Sequence, residues 1–294
     1  MTPLKQILPG GKKLFLANMV RNTGLNHALS ALPLWSGLLV ANYHRIGDPQ
    51  GCPFDQNLFS ATPEALELQI RLYRRHADII GVNDIPEALS DRRGKYVLIT
   101  FDDGYRDNYE LAYPVLKQAG VPAVFFIASG LIDRPRVAWW DEIAWMIQHS
   151  DRNEIEPNPF FPEGLSLKLE DRSFSKSRAV KTYWSLKDEQ TEDYLNLLAS
   201  QTGAGRAPLE LAESLWMTWE MIREMQQAGF DFGGHTVDHP ILAQISVDRQ
   251  RAEIRENRER LIQELGVAPS AFAYPVGQSH MFTEQTMQIL KEAG

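Results

Sequence analysis

The chain has 294 residues, 44% of them hydrophobic and 23% charged, enough for one large folded domain or two ordinary ones and unlike a disordered segment. Lys and Arg total 30 against 38 Asp and Glu, a formal charge of -8, so there is no global basic field and no nucleic-acid partner is expected. A single cysteine, Cys52, excludes an internal disulfide and a cysteine-rich zinc site.

Leu14 to Leu16 opens an apolar stretch that Asn18 and Arg21 end within a few residues, too early for a secretory signal. Asn22 to Tyr43 carries no Asp, Glu, Lys or Arg, yet Asn22, Asn26, His27, Pro33 and Gly37 would each be costly in lipid, so a transmembrane span is not expected. We read residues 1–36 as an N-terminal helical extension leading into a buried strand. Lys5, Lys12, Lys13 and Arg21 would allow weak peripheral contact with a membrane surface. In the absence of a secretion signal the expected location is the cytoplasm.

From there strands alternate with helices. Gly37–Tyr43 is a short apolar run and a predicted strand. Thr62-Pro63-Glu64 combines an N-cap residue, a proline at the first helical position and an early acid, which predicts a helix to about Arg75. Tyr96–Phe101 is apolar on both faces, as a strand covered by helices should be. Asn108–Gln118 reads as a helix closed by Gly120, Ala123–Ile127 as a strand, and Trp139–Gln148 as a helix with Trp139, Ile143 and Ile147 on one face. Residues 149–215 break the rhythm with prolines and weakly periodic charged segments. We read them as an insertion on one side of the domain that lacks a core of its own.

Alternation then resumes with a helix from Thr218 to Gln227, a strand at Phe230–Gly234, a long charged helix at Val247–Leu265, a strand at Ala271–Tyr274 and a helix at Thr283–Ala293. Six βα-like units predict an α/β fold, a parallel sheet or barrel over residues 37–294. The chain stops at Gly294 just after a helix, so a closed barrel would be short of its C-terminal strand or strands. On the charged helix, Arg255 with Glu259 and Glu256 with Arg260 are the expected i,i+4 pairs of a solvated face.

Three segments that follow predicted strands can carry chemistry, and in a parallel barrel the strand C-terminal ends converge. In Thr100-Phe101-Asp102-Asp103-Gly104 two adjacent carboxylates repel unless one binds a cation and leaves the other as a proton acceptor; a turn with a helix cap is the plain alternative. His235 and His239, two of seven histidines, fall at i and i+4, which on a helical turn directs both imidazoles to one side and suits a divalent ion. Thr236 stands where a zinc protease would have glutamate. Phe272-Ala273-Tyr274-Pro275-Val276-Gly277 is a tight turn whose backbone N–H groups can stabilise an oxyanion, or an ordinary turn. Trp139, Trp140 and Trp145 are assigned to packing.

Together these motifs resemble the polysaccharide deacetylase family, also called the NodB-homology or carbohydrate esterase family 4 domain. The match lies in T-F-D-D-G at Thr100–Gly104, H-x-x-x-H at His235–His239 and the turn at Tyr274-Pro275, and Tyr43-His44-Arg45-Ile46 is similar to the opening strand of exopolysaccharide-type members. The resemblance implies a distorted (β/α) TIM-like barrel that binds a divalent metal, zinc first and cobalt, nickel or manganese as alternatives, through Asp103, His235 and His239. It implies Asp102 as general base, the Val276 N–H as an oxyanion donor, and removal of N-acetyl groups from a glycan by metal-activated water. Tyr274, Pro275 and His44 would line the substrate pocket. Two departures stand out. Phe272-Ala273 offers no arginine to orient the base, and the family's late histidine, the general acid, is not reached before Gly294; His280 follows a different strand. A non-catalytic carbohydrate-binding protein and a metal-dependent amidase or esterase on a small non-sugar substrate are the rival readings.

Overall fold

The structure, a computed structural model, describes residues 35–294; the expected N-terminal helix and Lys5, Lys12, Lys13 and Arg21 lie outside them. Five parallel strands build the main sheet: β1 (Gly37–Tyr43), β4 (Asp78–Ile80), β5 (Lys95–Phe101), β6 (Val124–Ile127) and β9 (Asp231–Gly234). β5, buried along most of its length, is the spine. It pairs with β1 from Gly37↔Lys95 to Tyr43↔Phe101. It also pairs with β4 at Tyr96–Leu98 and with β6 at Thr100 and Phe101. β6 continues to β9, ending at Ile127↔Gly234. Because every pair is parallel, the carboxyl ends of β1, β5, β6 and β9 emerge at one end of the sheet, where α/β folds collect their ligands.

The expected strand at Ala271–Tyr274 is reduced to one parallel bridge, Gly234↔Phe272, made by Gly234 N–H to Ala271 O (3.0 Å) and Ala273 N–H to Gly234 O (2.9 Å). Pro269 and Pro275 flank it, and neither has an N–H to extend the ladder. Among the described residues the sheet therefore stays open, an α/β fold with the strand order of a distorted, unclosed barrel. β1 is also less buried than a central strand, with Leu39 and Val40 about half exposed.

Among the described residues ten α-helices surround the strands: α1 (Pro63–His76), α2 (Ile85–Ser90), α3 (Tyr113–Ala119), α4 (Ser129–Asp133), α5 (Trp139–Gln148), α6 (Arg172–Ser185), α7 (Asp188–Thr202), α8 (Trp219–Gln227), α9 (Val247–Leu265) and α10 (Glu284–Ala293). Their ends follow the capping residues. Thr62, Thr218 and Thr283 accept hydrogen bonds from the first-turn N–H groups, and Gly120 and Gly266 close α3 and α9 in left-handed conformation. None of the described helices is long and apolar enough to cross a membrane.

Two small pairings lie outside the main sheet: β2 (Arg45–Ile46) with β3 (Phe59–Ala61), and β7 (Glu154–Ile155) with β8 (Leu165–Ser166). The second belongs to residues 149–215, which are more ordered than their sequence suggests. Ala179 and Tyr183 of α6 and Tyr194, Leu195 and Leu198 of α7 recur at helical spacing and close a second apolar cluster with Ile143, Met146 and Ile147 of α5. The insertion buries these residues in a cluster shared with α5 and with Ile241 and Met281 of the rest of the chain. α9 also differs from a solvated face. Gln250, Glu253, Ile254, Asn257 and Leu261 form a buried stripe. Arg255 pairs with Glu259 (3.4 Å), but Arg260 turns to Asp133 and Glu264 instead of Glu256.

Candidate metal centre and catalytic site

The chain leaves β5 at Phe101 into Asp102 and Asp103, and leaves β9 at Gly234 into His235. Asp102 keeps the strand register one residue further, its N–H donating to Tyr43 O (2.9 Å). Asp103 then turns with φ 74°, in the left-handed region that costs a non-glycine residue of order 1–3 kcal/mol. Only four non-glycine residues among those described have positive φ, and all lie here: Asp103, Thr236 (65°), His239 (55°) and Val276 (63°).

His235 and His239 converge for a reason other than helical spacing. Residues 235–239 form a loop, not a helical turn. The strained Thr236 reverses the chain, and its Oγ1 accepts the His239 N–H (3.0 Å), bringing the two imidazole centroids to 4.8 Å. α9 holds this loop. Glu253 Oε2 accepts the N–H groups of Val237 and Asp238 (2.9 Å each). Asn257 Nδ2 donates to Thr236 O (2.6 Å), Ile127 O (2.9 Å) and Ser129 Oγ (3.0 Å), while its Oδ1 accepts the His235 N–H (3.2 Å). On the other side, Gly130 N–H donates to Val237 O (2.8 Å), an approach so close that a Cβ on Gly130 would lie 2.8 Å from that oxygen.

Asp103, His235 and His239 are all buried, and one donor atom of each lies within 4.8 Å of the others. Asp103 Oδ1 stands 3.3 Å from His235 Nε2 and 3.4 Å from His239 Nε2 and has no hydrogen-bond partner among the described residues. Ligands about 2.1 Å from a tetrahedral zinc ion sit about 3.4 Å from each other, so both Asp103 edges of the triad match such a site, and the donor set has the chemistry for the ion. Nδ1 of His235 faces Ala273 O at 2.8 Å, and since a carbonyl only accepts, Nδ1 carries a proton and Nε2 is the nitrogen directed at the triad. Burial opposes protonation of His235, but the contact with Asp103 and the Asp102 charge raise its pKa, so a metal bound there would displace a proton. Burial alone would raise the Asp103 pKa, but contact with His235 and the interactions with the His239 and His44 imidazoles bring it down to about 2. Burial lowers His239 to about 3, keeping that imidazole neutral as a ligand must be.

Asp102, beside the triad, differs. Its pKa is raised, chiefly by burial, with the Asp103 charge adding to it and His235, His44 and Asn42 opposing. Its Oδ2 accepts from Asn42 Nδ2 (2.8 Å), with His44 Nε2 at 4.0 Å, and its Oδ1 has no partner among the described residues. Asn42, the penultimate residue of β1, thus pairs with the carboxylate for which the sequence offers no arginine.

These groups open on a cavity of about 400 Å³. Of the residues expected there, His44, Tyr274 and Val276 line it, whereas Pro275 is buried in the turn behind. His280 is exposed on a neighbouring depression with Lys181 and Met281. The tryptophans depart from a pure packing role. Trp139 and Trp140 form part of the wall, and the Trp140 ring stands edge-on to His239 at 4.4 Å. Trp140 is fixed by Nε1 donating to Tyr105 Oη (2.7 Å), which donates in turn to Asp141 Oδ2 (2.7 Å). Trp145 packs elsewhere, against Phe54 and His149. Sequence reasoning missed Asn42, Glu253, Asn257, Asp55 and Trp184. The one available signal was the polar i,i+3 and i,i+4 stripe at 250, 253 and 257 of α9.

The sequence matches the family described as polysaccharide deacetylase over residues 90–156 and 174–294, well over half of the chain. The chain belongs to the polysaccharide deacetylase family. YxkH of Bacillus subtilis (strain 168), named as a polysaccharide deacetylase, is 36% identical over 101 residues; the alignment covers 30% of this chain and 36% of that protein. Solved structures share the fold at low identity. IcaB from Ammonifex degensii has a TM-score of 0.53 at 22% identity over 88% of this chain and 82% of its own. The Streptococcus pyogenes deacetylase PplD, solved in complex with acetate, has 0.52 at 19% over 89% and 81%. A de-N-acetylase from Aggregatibacter actinomycetemcomitans has 0.54 at 17% over 87% and 85%.

Proposed function

We propose that this chain is a metal-dependent hydrolase that removes N-acetyl groups from a glycan or a growing polysaccharide precursor. Asp103, His235 and His239 hold the divalent cation, zinc in the first instance. The observation that carries this reading is a three-ligand triad of zinc-like dimensions with an unligated, partly satisfied carboxylate beside it at the floor of a 400 Å³ cavity. A divalent ion held there would acidify a water and polarise an acyl carbonyl. Asp102 takes the proton of the attacking water and, as the C–N bond breaks and acetate departs, returns it to the leaving amine. Its unpartnered Oδ1 is available for this, and the Asn42 amide on Oδ2 fixes the plane of the carboxylate. The Val276 backbone N–H, on the cavity wall, donates to the carbonyl oxygen as negative charge builds there. His44 and Tyr274 line the space for the sugar.

The test is acetate release from an N-acetylglucosamine oligomer by the zinc-loaded protein. Asp102→Asn should retain the metal and lose about 10²- to 10⁴-fold in turnover, the usual worth of a positioned base. No release by the parent refutes the activity; normal turnover by the variant removes Asp102 as the base.

A further inference from the structure

The insertion contributes directly to the cavity. Lys176, Val180 and Trp184 of α6 are spaced by four residues and so form one stripe along the helix. Val180 and Trp184 line the cavity. Lys176, buried, pairs through Nζ with Oδ1 of Asp55, another cavity residue, 121 positions earlier in the chain. The same Oδ1 accepts the Asn57 N–H (2.9 Å), and the Asp55 N–H is held by Asp141 Oδ1 (2.9 Å). With the Leu58 N–H on its carbonyl (3.2 Å), four contacts anchor Asp55, all through its backbone or Oδ1, and Oδ2 accepts no hydrogen bond from the described residues. A buried ammonium that serves only to hold a carboxylate at a cavity wall is costly as a stability device, since burying both ions offsets their attraction. Its arrangement suits a fixed acceptor for ligand hydroxyls.

Resting on the deacetylase reading, we propose that this α6 wall selects the glycan. Asp55, held by Lys176, accepts hydrogen bonds from pyranose hydroxyls through Oδ2, and the Trp184 indole packs against the apolar face of a sugar ring. Neither group reaches the acyl transfer itself, so their effect falls on substrate choice.

The experiment compares kcat/KM of the zinc-loaded protein on an N-acetylglucosamine oligomer and on 4-nitrophenyl acetate, which has no sugar hydroxyls. Asp55→Asn should lower the oligomer-to-aryl-acetate ratio about ten- to a hundredfold, the worth of a hydrogen bond to a charged group. The loss should appear mainly in KM. Because Asp55→Asn orphans a buried ammonium, the double variant Asp55→Asn/Lys176→Met, which removes both charges, should give the same fall, and Trp184→Ala a fall of the same sign. Equal losses on both substrates would make the pair a structural clamp and overturn the proposal. A parent that cleaves the aryl acetate but not the oligomer overturns the sugar wall and leaves the hydrolase standing. A parent inert on both overturns the two together.

Discussion

Asp141 lies beneath the candidate site, fully buried, and burial pushes its pKa up to about 6 from 3.8 despite hydrogen bonds from Tyr105 and the Asp55 N–H and the nearby Arg45 charge. The sign of its effect on stability follows. Between pH 4 and 6 the folded state binds this proton more tightly than the unfolded chain, so the folded state loses stability as pH rises through that window. A difference of about two units corresponds to ~3 kcal/mol. Asp141→Asn keeps the size and an acceptor for the Asp55 N–H but cannot ionise. Urea unfolding of parent and variant at pH 4, 5, 6 and 7 should show the variant gaining on the parent by up to ~3 kcal/mol from the lowest to the highest pH. A difference that stays constant over this range, or grows in the parent's favour, would refute the assignment of a buried, reluctantly ionised carboxylate. The result bears on the site because Asp141 fixes Tyr105, which fixes the Trp140 ring against His239.

Replacing His235 or His239 by alanine should abolish bound Zn²⁺ or Co²⁺ in metal analysis while circular dichroism stays that of the parent; unchanged metal in both variants would overturn the ligand set. Asn257→Ala should be more damaging than a surface change on the same helix. It strips partners from Thr236 O, Ile127 O, Ser129 Oγ and the His235 N–H at once. Thr236 O keeps the Ser129 N–H and Ile127 O keeps the His235 N–H (3.2 Å each), so only Ser129 Oγ is left unpaired among the described residues. A loss of ~1–3 kcal/mol in urea unfolding is expected, with weaker metal affinity; a change below ~0.5 kcal/mol would dismiss Asn257 as the anchor of the histidine loop.

Much of the fold was legible because local physics and tertiary context agree. The N-cap threonines 62, 218 and 283, the C-terminal glycine 266 and the both-faces-apolar run of β5 specify their elements within a residue or two. The helix closed by Gly120, by contrast, is α-helical only from Tyr113, its expected first residues Asn108–Ala112 forming a π-helical turn. Where they disagree, reading by pattern fell short. Ala271–Tyr274 has strand composition, but the prolines around it limit pairing to one bridge. The helices of the insertion carry so many charges on their outer faces that the apolar stripe of α6 and α7 is diluted, and its partner, the outer face of α5, is distant in sequence.

Sequence alone determined which residues could carry the chemistry, because a carboxylate pair and two histidines after strand-like runs are rare and their ligand chemistry does not depend on context. Tertiary structure decided how they meet and what holds them. The histidines converge through a strained loop clamped by Glu253 and Asn257, not through helical periodicity. Asp102, the proposed base, accepts a hydrogen bond from Asn42 on a neighbouring strand. Such contacts join positions dozens of residues apart in a single parallel register, and that register is set by the packing of the whole sheet, which no local segment encodes.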